Sequence, residues 1–310
     1  MDRELLLVVV GGAIGIGGAI LGAFAEYLLE GRREQSRLRR EQYRAALHYH
    51  ETRESLGGFD LAGRDLSDRW FRAADLRQAN LKHAKLDRCD FDDSNLEGAD
   101  LRWANLTETS LKRADLRNSD LRDADLRGAR LDGADLRAAI LLRANLEHTA
   151  LDGAVLDDQT IVDSKWRLVW EILSDDVDER DLHGVDLGRA RLAGAHLHRA
   201  NLESANLEAA NLAWANLREA VLNHANLQGA CLYQANLEGS DMRSASLDEA
   251  DLRDASFHHA RLDQASLRGA DTAGTSMPEG WQNVVAVSPE DEGDTLGDAG
   301  SAPPTRRVTA

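Results

Sequence analysis

The sequence predicts an all-β repeat solenoid, and three observations carry that expectation. From Leu61 to Leu156 every fifth residue is Leu apart from Phe71 and Phe91, giving 20 repeats, and from Leu182 to Met277 the same spacing gives 20 more. Leu fills 34 of these 40 central positions; the residue two places earlier is mostly Ala, and the residue between is usually Asp or Asn. The third observation is what a period of five forbids. At about 100° per residue a helix would turn each Leu roughly 140° from the last and have no apolar face. A straight strand would flip successive leucines to opposite sides. The chain must therefore turn once per repeat, and if each repeat makes one side of a four-sided coil, stacked coils pair as a quadrilateral parallel β-helix. Leu and Ala then point inward, and Asp or Asn and the last two residues point out.

Each element can be placed in order. Leu5 to Ala25 is a stretch of 21 residues without a charge, long enough to span a bilayer as a helix, so residues 1–29 are expected to form a single-pass transmembrane helix. Ala23-Phe24-Ala25 offers a signal-peptide cleavage site, but Met1-Asp2-Arg3-Glu4 is not a basic start and the apolar stretch is longer than a signal peptide needs. Arg32, Arg33, Arg37, Arg39, Arg40 and Arg44 follow the span, which places the N-terminus outside and the repeats in the cytoplasm of a cell-membrane protein. Gly11, Gly15, Ala19 and Ala23 lie four apart on one helix face, a packing face suited to a homodimer. Residues 30–57 continue as a charged helical stalk, and array 1 occupies 58–156.

From Leu156 to Leu182 is 26 residues, one more than five repeats, so an insertion separates the arrays. This spacer, 157–180, carries Trp166, Val169, Trp170 and Leu173 as one apolar stripe behind an Asp163-Ser164 cap. The stripe either lids the end of an array or docks a partner. Array 2 spans 181–277. In 278–310, Ser276-Met277-Pro278-Glu279-Gly280 reads as a terminating turn, Val284, Val285 and Val287 as a closing strand, and the rest as a disordered acidic tail.

Units such as Ala99-Asp100-Leu101 and Ala205-Asn206-Leu207 make the chain resemble the pentapeptide-repeat family, with its Ala-(Asp/Asn)-Leu-x-x consensus. The resemblance implies a right-handed four-sided β-helix. Arg64 and Arg69 stand where Ala belongs, which marks the first coil as frayed or capped. Lys165 to Leu173 looks like the helical spacer found between arrays in other members.

No chemistry stands out. Cys89 and Cys231 fit no disulfide or metal framework. Val8 to Gly15 imitates a dinucleotide-binding loop but lacks the glycine spacing and any following βαβ pattern. His196 and His198, like the pair His258 and His259, find no third ligand one coil away. Nucleophile-elbow, P-loop and zinc-protease spacings do not occur. The expectation is a protein that is not an enzyme and carries no cofactor.

The net charge of −17 is spread over mixed segments, with 19 acids against 16 bases in residues 58–156 and 13 against 8 in 181–277. No nucleic-acid partner is expected. The expected function is a membrane-tethered scaffold for an unidentified protein partner. Some family members resemble duplex DNA and bind type II topoisomerases such as gyrase, and that is the alternative. It needs an acidic face, whereas here Asp100 and Asp120 lie beside Arg102 and Arg122, and Asp115 and Asp135 beside Arg117 and Arg137. Trp103, Trp214 and Tyr233, with Trp166 and Trp170 of the spacer, are the candidate partner contacts, because large aromatics are rare on these faces.

Overall fold

A computed structural model describes residues 16–174 and 178–283. Its helices are α1 (Ile16–Leu47), α2 (Tyr49–Thr52) and α3 (Ser164–Ser174), with a 3-10 turn at Trp281–Asn283. The remainder is a coil that closes every twenty residues: Asp60 bridges Asn80, Asn80 bridges Asp100, and Asp181 bridges Asn201, all in parallel. The protein divides into two compact units, Met1–Asp175 and Asp176–Ala310, each holding one β-helix array.

Why the five-residue unit closes follows from its backbone donors. In the unit 101–105, Leu101 N–H donates to Asp120 O (2.8 Å), Trp103 N–H to Arg122 O (3.1 Å) and Asn105 N–H back to Ala84 O (2.9 Å). These are the coil-to-coil ladder. Ala104 N–H closes the turn onto Leu101 O (3.0 Å). The fifth donor, Arg102 N–H, is left over, and the Asp100 carboxylate two residues earlier accepts it at 3.2 Å. Asn95 does the same for Glu97 N–H (3.0 Å) and Asn236 for Glu238 N–H (3.0 Å). Asp or Asn therefore completes the backbone account of the repeats that carry it, as buried or half-buried amides require.

Reaching this arrangement demands a left-handed residue two places after each Leu. Gly98 (φ 67°) and Gly128 (φ 67°) suit it, but so do Gln78 (φ 56°) and Trp103 (φ 55°) in their turns. For non-glycine residues that conformation costs of order 1–2 kcal/mol each, and the ladder bond made by the same residue's N–H offsets it.

The interior is a column of Leu beside a column of Ala. Leu101, Leu121, Ala124 and Ala129 are all essentially inaccessible. Phe71 and Phe91 stack at 4.9 Å between ring centroids. Where Thr replaces Ala its hydroxyl turns to the chain: Thr109 Oγ1 donates to Leu86 O and Thr149 Oγ1 to Leu126 O, both at 2.7 Å.

Unit 1 departs from the sequence reading at three places. The stalk expected over 30–57 is not wholly free, because its end closes the first coil. Gln42 Oε1 accepts Asp60 N–H (3.1 Å), Tyr43 OH donates to Asp65 O (2.9 Å), and Arg39 pairs with Asp60 (2.5 Å). Tyr49 is buried with its ring 5.9 Å from that of Phe71. The array begins earlier than residue 58, since the N–H of buried Leu56 already donates to Asp75 O at 2.8 Å.

It also ends later than Leu156. Val155 bridges Asp135 at the usual interval, but the next bridge joins Ile140 to Ile161, one residue longer. The extra residue lies in the turn that follows Leu156. Asp157 gathers that turn by accepting from Gln159 N–H (3.1 Å), Thr160 N–H (2.9 Å) and, one coil earlier, Ala138 N–H (3.0 Å).

In unit 2, Glu179 N–H already donates to His198 O (2.9 Å), so that array starts just ahead of residue 181. Its last bridge joins Ser256 to Ser276. The expected closing strand at 284–287, the tail beyond it and residues 1–15 lie outside the described residues. Among the described residues no helix is long and apolar enough to cross a membrane. Most of the stretch 5–25 read as a span is not among them.

Two substitutions test this packing. Ala129→Leu should overpack the narrow section and lower stability by about 1–3 kcal/mol, measured by denaturant unfolding. Asn236→Ala should cost about 1 kcal/mol by removing the acceptor of Glu238 N–H, whereas Glu238→Ala should stay within about 0.5 kcal/mol of the parent.

Candidate interaction surface

Because the Leu and Ala positions point inward, the other three positions of each repeat are sorted into outward columns, each residue one coil from its neighbour twenty places on. The commonest motif on them is a clamp between the Asp before a Leu and the Arg after it. Arg102 grips Asp100 through Nε (2.8 Å) and Nη2 (2.5 Å), and Arg117 grips Asp115 at 2.8 and 2.6 Å. Arg243–Asp241 and Arg253–Asp251 repeat it in unit 2. A second clamp reaches across coils, from Arg88 to Asp68, Arg113 to Asp93 and Arg143 to Asp123, each with a closest approach of 2.7 Å. In unit 2 amides partly take over: Asn201 Nδ2 donates to Asp181 and Asn206 Nδ2 to Asp186 (2.9 and 2.8 Å).

The guanidinium hydrogen bonds hold the carboxyls of Asp100, Asp115, Asp125, Asp135, Asp241 and Asp251 below the usual carboxylate range, Arg102, Arg117, Arg127, Arg137, Arg243 and Arg253 being the respective partners.

The aromatic residues singled out from sequence fall into three places. Trp166 is only 8% exposed, and Val169 and Ile172 of α3 are buried with it. The buried stripe thus runs through Ile172 rather than Leu173, which stays half-buried with Trp170. Trp170 Nε1 donates to Ala154 O (2.8 Å) and Arg167 Nη2 to Thr160 O (2.6 Å), so α3 satisfies carbonyls at the end of array 1. This is the lid arrangement. Trp166 is thus buried, and Trp170 is half-buried with its indole N–H on array 1.

Trp103 is 44% exposed, stacked on His83 at 5.1 Å with Lys82 Nζ 4.8 Å from its ring. Trp214, 59% exposed, donates Nε1–H to Gln234 Oε1 (2.9 Å) and meets Tyr233 edge-on at 5.8 Å. Trp103 and the Trp214–Tyr233 pair lie in different units. Trp70, more exposed than either at 72%, escaped the sequence reading. Its signal was present all the same: it occupies a place where Asp or Asn is the rule.

Gly11 and Gly15 lie outside the described residues; Ala19 and Ala23 are in α1, and nothing is described of their side chains. His258 and His259 rings are 6.5 Å apart, and His198 Nδ1 faces Asp178 at 3.6 Å. Among the described residues no group of three His, Cys, Asp or Glu is placed to hold a metal ion. Cys89 is buried and donates to Leu66 O, and burial pushes its thiol up to about 12. It is no nucleophile.

The family comparison decides what this arrangement belongs to. The sequence model for pentapeptide repeats matches the chain in 8 copies, over residues 60–93, 84–123, 119–158, 181–218, 205–243 and 235–271. The chain is a pentapeptide-repeat protein. Its arrays are thus the family's right-handed β-helix solenoids.

Among solved structures it is similar to HetL from the cyanobacterium Nostoc sp. strain PCC 7120, a pentapeptide-repeat protein involved in heterocyst differentiation regulation. That match has 29% identity over 75% of this chain and 95% of HetL, with a TM-score of 0.31. The pentapeptide-repeat protein alr5209 from Nostoc PCC 7120 is 38% identical over 32% of this chain and 73% of its own (TM-score 0.27). QnrB1, a plasmid-mediated fluoroquinolone resistance protein, is 15% identical over 72% and 91% (TM-score 0.33). Scores this low do not bear on function. No curated protein matches the chain.

The clamps fix the direction of the pH response. Each clamped carboxyl titrates lower in the folded chain than the ordinary value of about 3.9 that it has when unfolded. Its contribution is complete above that value and is lost as pH falls through the lower, folded value. Unfolding midpoints should therefore hold from pH 6 to about pH 4.5 and drop as pH falls from about 4 toward 2, and an Asp115→Asn, Asp135→Asn variant should show a smaller drop.

Proposed function

We propose that this pentapeptide-repeat protein is a non-enzymatic, membrane-tethered scaffold whose flat outer faces bind a protein partner. The observation that carries the reading is the sorting of side chains: apolar residues fill the interior of both arrays, while ionisable groups stand in outward columns tied into Asp–Arg clamps. Such a surface recognises by shape and pattern. The exposed aromatics Trp70, Trp103 and Trp214 with Tyr233 are the anchors such a face would offer.

The tether rests on the 21 uncharged residues from Leu5 to Ala25 followed by arginines, with the N-terminus outside and the arrays in the cytoplasm. The small-residue face Gly11, Gly15, Ala19 and Ala23 would let two spans approach closely. DNA mimicry is the weaker reading, because the carboxylates it needs are already neutralised by arginines two or twenty residues away.

Fractionation of the native host with a tag after Ala310 tests the proposal. The tag is expected in the membrane fraction, protected from protease until cells are opened, with crosslinks from the outer tryptophans to protein partners. A soluble full-length chain, or a tag outside the cell, overturns the tether. Inhibition or protection of gyrase supercoiling by the purified protein would replace the scaffold with the mimic.

A further inference from the structure

Most arginines of the arrays are tied to carboxylates, as at Arg77, Arg102, Arg117, Arg143 and Arg253. A cluster of arginines on one helix departs from that habit. On α1, Arg32, Arg33, Arg40 and Arg44 form no ion pair among the described residues, and Arg37 has only an exposed contact with Glu41 one turn on (3.2 Å). At about 100° per residue Arg33, Arg37, Arg40 and Arg44 fall within roughly 60° around the helix axis. The array-facing side is a different one, occupied by Arg39 on Asp60, by Gln42 and by buried Ala46. Leu29, Arg32, Arg33, Ser36, Arg37 and Arg40 line one open, solvent-exposed surface.

We infer that this basic face of α1 binds the anionic headgroups of the lipid leaflet next to the span. The inference rests on the membrane-tether reading and adds the lipid class to it. Position along the helix supplies the argument. The apolar character that begins at Leu5 fades through Tyr27, Leu28 and Leu29, all of them exposed, with Tyr27 at 73%. A tyrosine at that point suits a membrane–water interface.

At about 1.5 Å per residue, Arg33 lies roughly 6 Å beyond Leu29 and Arg40 roughly 16 Å beyond it. The headgroup layer is about 5–8 Å deep and its potential reaches about another 8 Å at physiological ionic strength. Arg32 and Arg33 therefore meet headgroup phosphates directly, and Arg37 and Arg40 stand within the field. A protein of net charge −17 would otherwise be repelled by an anionic leaflet. The unpaired arginines give it a local contact of opposite sign at the one point where it must lie close.

The test uses the full-length chain in micelles containing equal phosphatidylglycerol and phosphatidylcholine, with retained lipids counted by native mass spectrometry. The parent should retain phosphatidylglycerol over phosphatidylcholine by about fivefold or more, the factor that one basic residue near an anionic surface supplies. The preference should shrink as salt rises. Arg32→Gln, Arg33→Gln, Arg37→Gln and Arg40→Gln together should bring the ratio to parity, and the matching Lys substitutions should keep it; circular dichroism checks that both quadruple variants remain folded.

Micelle-bound protein with no headgroup preference would overturn this inference and leave the tether intact. A chain that carries no lipid and needs no detergent would overturn both. Loss of the preference on adding inorganic phosphate or a short DNA duplex at equal charge would show a general anion surface and overturn the lipid assignment.

Discussion

Everything in this structure depends on the disposal of one backbone amide per repeat. A five-residue turn leaves four N–H groups with main-chain acceptors and one without. The side-chain oxygen of Asp or Asn two residues earlier takes that one, as Asp100 does for Arg102 and Asn236 for Glu238. With it satisfied, the coil can repeat every twenty residues with few orphaned groups, and the leucines line up into a continuous core. Where Ser replaces Asp or Asn the requirement persists and is met from the neighbouring coil: Asp92 accepts from Lys112 N–H and Asp248 from Arg268 N–H (3.1 and 2.9 Å), and each also accepts from the Ser hydroxyl, Ser110 or Ser266.

That constraint also explains the charge. An acidic chain invites a reading in terms of its partners, but many of its aspartates serve the fold first. Once placed for the backbone, Asp presents a carboxylate edge outward, and at Asp75, Asp100, Asp115, Asp125, Asp135, Asp241 and Asp251 the Arg two residues on meets it in bidentate geometry. The surface is densely charged yet locally balanced.

How much was legible in the sequence depended on whether a feature repeats. The period of five, the inward Leu and Ala and the two arrays follow directly from spacing. The ends do not repeat, and there the reading faltered. Leu56 belongs to the first coil but is preceded by no Ala or Asp, so spacing alone placed the start at Leu61. The extra residue was visible as a gap of 26, but nothing in the spacing located it; the structure puts it in the turn held by Asp157, ahead of Ile161. Tyr43 and Tyr49 looked like stalk residues, because their role as a cap depends on meeting Asp65 and Phe71 in space. The stripe through Trp166 and Trp170 is legible from spacing, but not which of its members are buried, Ile172 rather than Leu173, nor the bond from Trp170 Nε1 to Ala154 O, which depends on a carbonyl in another coil.

Residue-resolved amide hydrogen exchange tests the central claim most directly. If Asp and Asn complete the backbone of each turn, then within the middle coils Arg102, Thr107 and Arg117 N–H, which follow Asp100, Asn105 and Asp115, should exchange slowly. Leu142, Asn223 and Tyr233 N–H, which follow Ile140, Val221 and Cys231 with no side-chain oxygen, should exchange faster by an order of magnitude or more, in proportion to the missing bond. Equal exchange at the two sets would contradict the account, leaving the Asp and Asn columns without their structural reason and returning their acidity to the question of what the protein binds.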